Sequence, residues 1–483
     1  MELLKLRSRR QISYVESMKI QCIAVLLCAL TVGFLSMAPA GESDVACNSS
    51  VGPDVVIGSL DGIGDYGCLD GICAYSIATN IVNIGDEDLP WFPMNNEHPA
   101  IAQHMYKMNE VRIEQIGISW VKHGFGALAW DEFDCGCQNP NDYDYLGVGC
   151  TDPYTTGLNG DQDGFGTFAG LGPRWEVNAT NGYFPFPYTT LGQGGDAIYK
   201  RLQVHSDDLD PDLNPNTVYF AEGHYVTPAD ALAGNGANSL GYRPMVVEGW
   251  AGDTWDLSLQ GETVSGLPAI YAWAAAYPGV MLETIDIPDD GRMVLAAKAT
   301  ENPDGSWHYE YAWHNINSWR SGRSLRIDLA DGAGITNPGW HAVDHHSGTP
   351  WANQPWQINV VSDEIEFSTA PADAGGSSSP ICWGTMGNAW FDSDQPPGMT
   401  QVKLGYYRQG TAPDAVLSFL GPVGGGGCAG DANGDGVTDV NDVLAVLGVF
   451  GEGCQDCSED LDGNGQIDVN DILALLADWD CEY

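Results

Sequence analysis

Basic residues are scarce in this chain of 483 residues, which has 19 Lys and Arg against 65 Asp and Glu and a formal net charge of −46. A surface this negative repels the nucleic-acid backbone and anionic membranes, so neither is an expected partner. The same field attracts divalent cations. For most of the carboxylates, adaptation to salty water without a specific partner is a sufficient interpretation.

A membrane-spanning apolar run is also missing after the first 40 residues. Those 40 residues carry a basic segment, the apolar run IQCIAVLLCALTVGFLSM and a small-residue site at 38–40, the order of a secretory signal peptide. We expect residues 1–40 to be removed, with translation starting at Met1 or Met18. The resulting secreted, extracellular chain would keep 14 basic and 63 acidic residues, a net charge of −49.

Few free cysteines are expected. Removal of the signal leaves 11 of the 13 cysteines, and in an oxidising compartment most should pair, with at least one left over. Cys135 and Cys137 are too close in sequence to bridge easily to each other, so each should have its own partner. No spacing of Cys and His matches a zinc template closely.

Familiar catalytic strings are absent: there is no HExxH, no GxSxG and no Gly-Lys pair of a phosphate loop. The paired carboxylates of a glycosidase cannot be singled out among so many acids. Three polar groups remain candidates: Asp344, His345 and His346 with His341 nearby; Glu222 with His224; and His98, His104 and His123.

The first candidate group could ligate a transition metal, although a solvated turn is the simpler interpretation. The pair Glu222 and His224 would point the same way on a strand and could act as an acid/base or ligand pair, or form ordinary hydrogen bonds. Among the third group, His123 has apolar sequence neighbours and is expected to be buried and hydrogen-bonded.

Long helical periodicities are rare, and short strand-like runs predict a mainly β fold. Turns such as NPDG between alternating runs predict an antiparallel β-sandwich over residues 281–420. Residues 47–280 predict a β-rich region with short helices, for which HPAIAQHMYKM and GLPAIYAWAAAY are candidates. The irregular stretch 134–185 should be tied by disulfides or ions. GPVGGGG, residues 421–427, predicts a flexible linker before a module at 428–483.

That module contains two acidic loops, GDANGDGVTDVND and EDLDGNGQIDVND, which repeat at an offset of 29 residues. Carboxylates and amides recur at positions 1, 3, 5, 9 and 12 of an EF-hand-type loop, a backbone carbonyl is available at position 7, and Gly436 and Gly465 stand at position 6. Each loop is therefore expected to bind one Ca²⁺. The expected ligands are Asp431, Asn433, Asp435, Val437, Asp439 and Asp442 in the first loop and Asp460, Asp462, Asn464, Gln466, Asp468 and Asp471 in the second.

Each loop leads into an amphipathic helix, and the two apolar stripes are expected to bury against each other. Metal binding should then be coupled to folding of the module. The stripes are Val443, Leu444, Leu447 and Phe450 in the first repeat and Ile472, Leu473, Leu476 and Trp479 in the second.

The duplicated loop and helix resemble the type I dockerin module of secreted bacterial proteins, over about residues 428–483. The resemblance implies docking to a cohesin module on a scaffold or cell surface. It places partner contacts at Val440-Asn441 and Val469-Asn470, whose identity in both repeats fits binding in two orientations. The four cysteines of the module are an addition to the dockerin pattern.

The cysteines of the module follow the same offset, since Cys457 lies 29 residues after Cys428 and Cys481 lies at nearly that distance after Cys454. Three connectivities are possible, and the repeat favours Cys428–Cys454 with Cys457–Cys481.

One further loop, NGDQDGFGT, places Asn159, Asp161 and Asp163 at positions 1, 3 and 5 of a calcium loop. Gly170 stands at position 12, where a carboxylate is needed, so the pattern disfavours a third calcium site.

The leading hypothesis is a β-rich body that acts on or binds extracellular polysaccharide and is docked through the C-terminal module. As an enzyme it would be a glycoside hydrolase or another carbohydrate-active enzyme, because dockerins are usually attached to these. The alternatives are a non-catalytic cell-surface or matrix protein and a metal-dependent oxidase that uses a histidine cluster. Stretches such as RIEQIGISWVKHGF are similar to secreted, planctomycete-like bacterial proteins of unassigned function, which indicates only export and a bacterial source.

Overall fold

The described part of the computed structural model comprises residues 45–47, 49–330, 332–346, 348–361, 363–372, 378–423, 428, 430–433, 437–454, 457–479 and 481. The predicted signal at 1–40 lies outside these residues. No helix of the described part is long and apolar enough to cross a membrane.

Strands dominate, as predicted, and the fold is mainly β. In chain order the strands are β1 (Val55–Leu69), β2 (Ile72–Asn83), β3 (Leu89–Pro90), β4 (Ala100–Met108), β5 (Ile113–Ile118), β6 (Val121–His123), β7 (Tyr145–Leu146), β8 (Thr151–Tyr154), β9 (Leu171–Gly172), β10 (Leu202–His205), β11 (Val218–Val226), β12 (Leu240–Ala251), β13 (Thr254–Leu259), β14 (Val264–Ser265), β15 (Met281–Asp286), β16 (Arg292–Glu301), β17 (Trp307–Asn315), β18 (Gly322–Asp328), β19 (Ile335–Ala342), β20 (Gln357–Val360), β21 (Glu364–Ser368), β22 (Thr385–Ser393), β23 (Pro397–Tyr406) and β24 (Ala415–Pro422). The helices are α1 (Thr156–Asn159), α2 (Ser206–Leu209), α3 (Pro228–Ala233), α4 (Ile270–Ala276), α5 (Val440–Gly448) and α6 (Val469–Ala477), with a 3₁₀ turn at Arg174–Glu176.

The first half of the body is one 12-stranded sheet with the main order β1-β2-β10-β5-β4-β11-β12-β13. It begins with the long β1–β2 hairpin, whose turn residues Asp70 and Gly71 both have positive φ, as a tight two-residue hairpin turn requires. Strand β1 also contacts the other end of this order. The Leu60 backbone N–H donates to Thr263 Oγ1 (2.9 Å), just after β13, and Arg243 of β12 donates to the Leu60 carbonyl (2.7 Å). β3 and β7 form a separate two-stranded sheet.

The second half is a β-sandwich, which confirms the prediction for 281–420. One five-stranded sheet has the order β15-β16-β17-β22-β19 and the other β20-β21-β18-β23-β24. Their facing sides share one core, in which Trp313 and Tyr311 of the first sheet meet Leu325, Phe367 and Phe419 of the second. Alternation of apolar and polar residues along these strands is what made the sandwich predictable.

Two local predictions are wrong. The candidate helix HPAIAQHMYKM is strand β4, a central strand buried on both faces, so its sequence lacks the alternation of buried apolar and exposed polar residues that marks a half-buried strand. The predicted linker 421–427 begins too early, because Gly421 and Pro422 pair with β23 and only 424–427 fall outside the described residues. The other candidate helix is confirmed as α4.

Disulfides tie the irregular region, as expected. Cys47 pairs with Cys135, Cys137 with Cys150, and Cys68 with Cys73 across the β1–β2 hairpin. Cys135 and Cys137 thus have separate partners, and among the described residues Cys382 has a free thiol.

Candidate functional site

The second acidic loop of the C-terminal module gathers carboxylates at one point. Asp460, Asp462 and Asp471 offer oxygen atoms that all lie within 4.8 Å of one another. Asp471 is fully buried and accepts backbone N–H groups from Asp462 (3.2 Å) and Asp468 (2.7 Å), while Asp460 accepts the N–H of Gly465 (2.9 Å). Carboxylates this close repel one another unless a cation lies between them, and an all-oxygen donor set suits Ca²⁺.

The first loop repeats this frame. Asp442 is fully buried and accepts the N–H groups of Asn433 (3.0 Å) and Asp439 (2.8 Å). Its predicted ligand Asp435 and the turn residue Gly436 lie outside the described residues.

The position-9 carboxylates begin the helices. Asp439 accepts the N–H of Asn441 (2.6 Å) and Asp468 that of Asn470 (2.7 Å), each as part of a capping box with the position-12 carboxylate. This arrangement suits a ligand that contacts the ion through a water molecule, which is common at position 9. In the second loop Asn464 accepts the N–H of Gln466 (2.8 Å).

The buried side of helices α5 and α6 differs from the prediction. The core of the module contains Val446 and Leu475 with Ala432 and Ile467, and only the first residue of each predicted stripe packs against it. The remaining apolar residues are 42–61% exposed; they are Val440, Leu444, Leu447, Phe450, Val469, Leu473, Leu476 and Trp479. Each helix carries apolar residues on two sides, so the sequence alone did not determine which side faces the other repeat.

The favoured pairing Cys428–Cys454 with Cys457–Cys481 is also wrong. The structure pairs Cys428 with Cys481 and Cys454 with Cys457. The two repeats pack so that the beginning and the end of the module meet, and the Thr438 N–H donates to the Cys481 carbonyl (2.8 Å). One bridge therefore closes the module, and the other closes a short turn between the repeats.

In the body, Glu222, His104 and Arg174 form a fully buried relay. His104 Nδ1 lies 2.7 Å from Glu222 Oε1, and Arg174 Nη2 lies 2.9 Å from His104 Nε2. Because the guanidinium can only donate, His104 accepts at Nε2 and donates from Nδ1. Burial, and secondarily Arg174, holds the pKa of His104 well below its usual value, while burial raises that of Glu222. The imidazole is therefore neutral between an anion and a cation.

Other polar groups complete this relay at the junction of the large sheet and the sandwich. Tyr106 Oη donates to Glu222 (2.9 Å), and the Ala269 N–H donates to its second oxygen (2.7 Å). Arg174 also donates to the Trp383 carbonyl (3.0 Å) and stacks on that ring at 4.4 Å. The pair Glu222 and His224 does not act together, since Glu222 bonds His104, and burial lowers the pKa of His224. Arg174 was not among the predicted site residues, although arginine is a rare residue in this chain.

Among the other candidate histidines, His98 and His123 form one buried pair, whereas His341 of β19 is exposed. His98 Nδ1 contacts the Phe92 carbonyl (2.9 Å) and its Nε2 contacts His123 Nδ1 (3.0 Å), so His123 is buried and hydrogen-bonded as predicted. His345 and His346 are buried, whereas Asp344 is exposed and pairs with His205 (3.1 Å).

Asp344, His345 and His346 do not form a metal centre. In the described part of the body, no three His, Cys, Asp or Glu side chains bring ligand atoms within 4.8 Å of one another. The residue arrangement that the oxidase alternative requires is therefore not found there.

The loop NGDQDGFGT is built around lysines. Lys200 Nζ, on a fully buried side chain, donates to the carbonyls of Gln162 (3.0 Å), Thr190 (3.0 Å) and Gln193 (2.7 Å), and Lys122 Nζ donates to the Ala169 carbonyl.

The position-1 residue of that loop points elsewhere: Asn159 donates to the Ile77 carbonyl (2.8 Å).

Glu114, the carboxylate that lines a cleft of about 550 Å³ between the sheet and the sandwich, is paired with basic side chains. Arg112 contacts both Glu114 (3.6 Å) and Glu310 (2.6 Å), and Lys107 lies 2.9 Å from Glu114. The pKa of Glu114 is lowered, since Lys107 and its other basic neighbours outweigh burial, the largest single effect on it. A glycosidase acid needs a raised pKa, so Glu114 does not suit acid catalysis.

No family model matches the chain, and no curated protein matches it. Among solved structures it is similar to the full-length pilus protein RrgB from Streptococcus pneumoniae, with a TM-score of 0.16 and 11% identity over 33% of this chain and 36% of that chain. The collagen adhesin CNA from S. aureus has a TM-score of 0.16 and 9% identity over 76% of this chain and 92% of that chain. The chain spans about a third of the length of the pilus protein, and at these scores neither likeness supports a conclusion about fold or function.

Proposed function

We propose that this chain is an extracellular, non-catalytic β protein that docks to a cohesin-like module or cell-surface scaffold through its calcium-organised C-terminal module. The observation that carries the proposal is the pair of exposed apolar surfaces on α5 and α6, which occupy equivalent positions in the two repeats. Monomeric proteins rarely leave contiguous apolar patches in water unless the patch binds something.

The two surfaces have matching exposure. Leu444 and Leu473 are 61% and 57% exposed, and Leu447 and Leu476 are 50% and 52% exposed. Asn441 and Asn470, which the dockerin resemblance assigns to partner contact, are exposed on the first turns of the same helices. A hydrophobic centre with polar groups at its edge is the usual composition of a protein interface.

Calcium would act on this surface indirectly. Two ions, one for each loop, would neutralise the loop carboxylates and so hold the helix N-termini in place. The carboxylates of Asp460, Asp462 and Asp471 support this role, because they converge within ion-binding distance.

A body without catalysis is supported by the pairing of Glu114, in its large cleft, with basic side chains. The expected result of incubating the protein with a panel of polysaccharides is no new reducing ends. Turnover of any of them would contradict this part of the proposal.

Polysaccharide binding remains a second candidate because of one cavity of about 350 Å³. Trp130 and Tyr143, 49% and 73% exposed, line it together with Asn139, Asn141 and Asp142. Aromatic faces beside amide and carboxylate groups can stack on and hydrogen-bond a sugar. Retention on a polysaccharide matrix that is lost in Trp130→Ala would support this function.

The docking surface is tested with the full chain and Leu444→Glu/Leu473→Glu. The control is Leu232→Glu/Leu213→Glu, which places the same charges on leucines of the body that are 79% and 60% exposed. By calorimetric titration against a cohesin module, wild type and control should bind only with calcium present, and the helix variant should bind at least about 100-fold more weakly. Equal binding by the helix variant, with an unchanged melting curve, would refute the docking surface.

A further inference from the structure

A group of buried oxygen atoms far along the chain from the C-terminal module has no hydrogen-bond partner. Asp54 immediately precedes β1, Asp230 lies in α3, and Asn238 lies in the turn between α3 and β12. The two Asp side chains are fully buried. One oxygen of each residue (Asp54 Oδ1, Asp230 Oδ1 and Asn238 Oδ1) is buried without a partner among the described residues. Buried acceptors are normally satisfied, so three in one place require an explanation.

The three side chains belong to one cluster. Asn238 Nδ2 donates to Asp54 Oδ2 (3.3 Å), and the charge of Asp54 acts on Asp230. The turn after α3 holds the N-terminal segment, since Asn235 Nδ2 donates to the carbonyls of Val51 (3.1 Å) and Pro53 (3.0 Å).

No cation of the described chain neutralises these carboxylates. Neither Asp54 nor Asp230 forms an ion pair with a Lys, Arg or His there. Burial, and secondarily Asp54, raises the pKa of Asp230 to about 8, and burial raises the pKa of Asp54. Two buried anions side by side require a shared proton or an external cation.

Hydroxyl groups hold one oxygen of each carboxylate. Ser50 Oγ donates to Asp54 Oδ2, and Ser239 Oγ donates to Asp230 Oδ2 (2.5 Å). In each carboxylate a serine contacts Oδ2, the Val55 backbone N–H also acts on Asp230, and Oδ1 has no hydrogen-bond partner among the described residues. Such outer contacts are the usual support of metal ligands.

We propose that Asp54 Oδ1, Asp230 Oδ1 and Asn238 Oδ1 form a structural calcium site within the body, distinct from the two loops of the C-terminal module. Two carboxylates and an amide oxygen are hard donors, which favour Ca²⁺ over transition metals, and water can complete the coordination. The ion joins the start of β1 to α3 and to the turn before β12. It thereby fastens the N-terminal end of the described chain to the middle of the large sheet.

The test separates this site from the calcium loops. In the full chain, Asp431→Ala/Asp460→Ala removes the first ligand of both loops, and calcium per chain is then measured by elemental mass spectrometry after gel filtration in calcium-free buffer. One calcium should remain per chain, and the melting temperature should fall when a chelator is added. Adding Asp54→Asn/Asp230→Asn should remove that calcium and the chelator effect.

The matched control adds Asp152→Asn instead. Asp152 is also buried with an unpartnered Oδ2, but no second carboxylate raises its pKa, and the control should retain the calcium. The single variant Asp54→Asn serves if the double variant does not fold. An absence of metal in Asp431→Ala/Asp460→Ala, with a melting temperature indifferent to chelator, would overturn the proposal in favour of a shared proton. Failure of the docking experiment would leave this result unaffected.

Discussion

At the scale of single residues, the charge of Arg174 is compensated through an imidazole instead of by direct contact with Glu222. The relay crosses three parts of the chain, since His104 lies in β4, Glu222 in β11 and Arg174 in the 3₁₀ turn. Removal of one charge leaves the other buried without compensation, which is more costly than the pair itself is stabilising.

Glu222→Gln should therefore lower the free energy of unfolding by about 3 kcal/mol, within the range for breaking a buried charge pair. Chemical denaturation measures the loss. Glu283→Gln, on the exposed side of β15, is the control and should change stability by less than about 0.5 kcal/mol. A Glu222→Gln chain as stable as wild type would show that Glu222 is protonated at neutral pH.

A second prediction concerns His345, whose pKa burial lowers to about 4. The unfolded chain takes up this proton near pH 6.5 and the folded chain only near pH 4, so this histidine destabilises the fold as the pH falls through that window. Replacement by Gln removes the effect. The loss of unfolding free energy between pH 7 and about pH 4 should be smaller in His345→Gln by about 3 kcal/mol, from ~1.4 kcal/mol per pKa unit.

The control for this prediction has the opposite sign. Hydrogen bonding to Asp344 raises the pKa of the half-exposed His205, so its contribution is present below about pH 6.5 and is lost at higher pH. His205→Gln should slightly increase the acid loss. If both variants lost less unfolding free energy at low pH than wild type, the effect could not be assigned to the burial of His345.

At this scale, contacts between residues close in sequence could be predicted, and contacts between distant residues could not. The frame of the two acidic loops could be predicted because its contacts are local: position 12 accepts the backbone N–H groups of positions 3 and 9 of the same loop, as Asp471 does from Asp462 and Asp468. The Arg174 relay was not predictable, because its members meet only after β4 and β11 have paired.

At the scale of elements, α5 and α6 show why a short helix is ambiguous. In nine residues, apolar side chains at Val443 and Val446 and at Leu444 and Leu447 define two adjacent faces, and both have helical spacing. Packing against the other repeat determined which face became the core. Strand β4 was mistaken for the related reason that full burial removes the alternation by which strands are recognised.

We expect substitutions on the buried face and on the exposed face of these helices to affect calcium affinity differently. Val446→Ala/Leu475→Ala removes the buried pair, and the Leu475 change alone should cost about 2–5 kcal/mol. Because folding and metal binding are coupled, the full chain should bind calcium at the two loops much more weakly. Calorimetry should find that Leu444→Ala/Leu473→Ala binds calcium at the loops as tightly as wild type. If this variant instead lost more affinity than Val446→Ala/Leu475→Ala, the stripes predicted from the sequence would form the core.

At the scale of the whole molecule, the sandwich ends later than its predicted boundary. β24 pairs with β23 through Pro422, and the Val423 N–H donates to the Pro396 carbonyl (3.0 Å). Glycine and proline in the segment GPV made it look like coil, although an edge strand accepts both residues.

A chain that ends at Val423 should keep the melting transition of the body. A chain that ends at Pro413 lacks β24 and exposes the core around Phe419 and its neighbours, so it should melt at a clearly lower temperature or fail to fold. Differential scanning calorimetry compares the two with the full chain. Loss of cooperative melting in the chain that ends at Val423 would show that the C-terminal module is needed for folding of the body.

The buried ammonium groups of Lys122 and Lys200 have a consequence for chemistry in solution. Only five lysines follow residue 40, and these two lie inside the fold against backbone carbonyls. An amine-reactive reagent should therefore modify the α-amine and the partly exposed Lys403 in the native protein, and should reach Lys122 and Lys200 only after denaturation. The mass added by labelling would then report directly how much of the sample has opened the loop at 160–193.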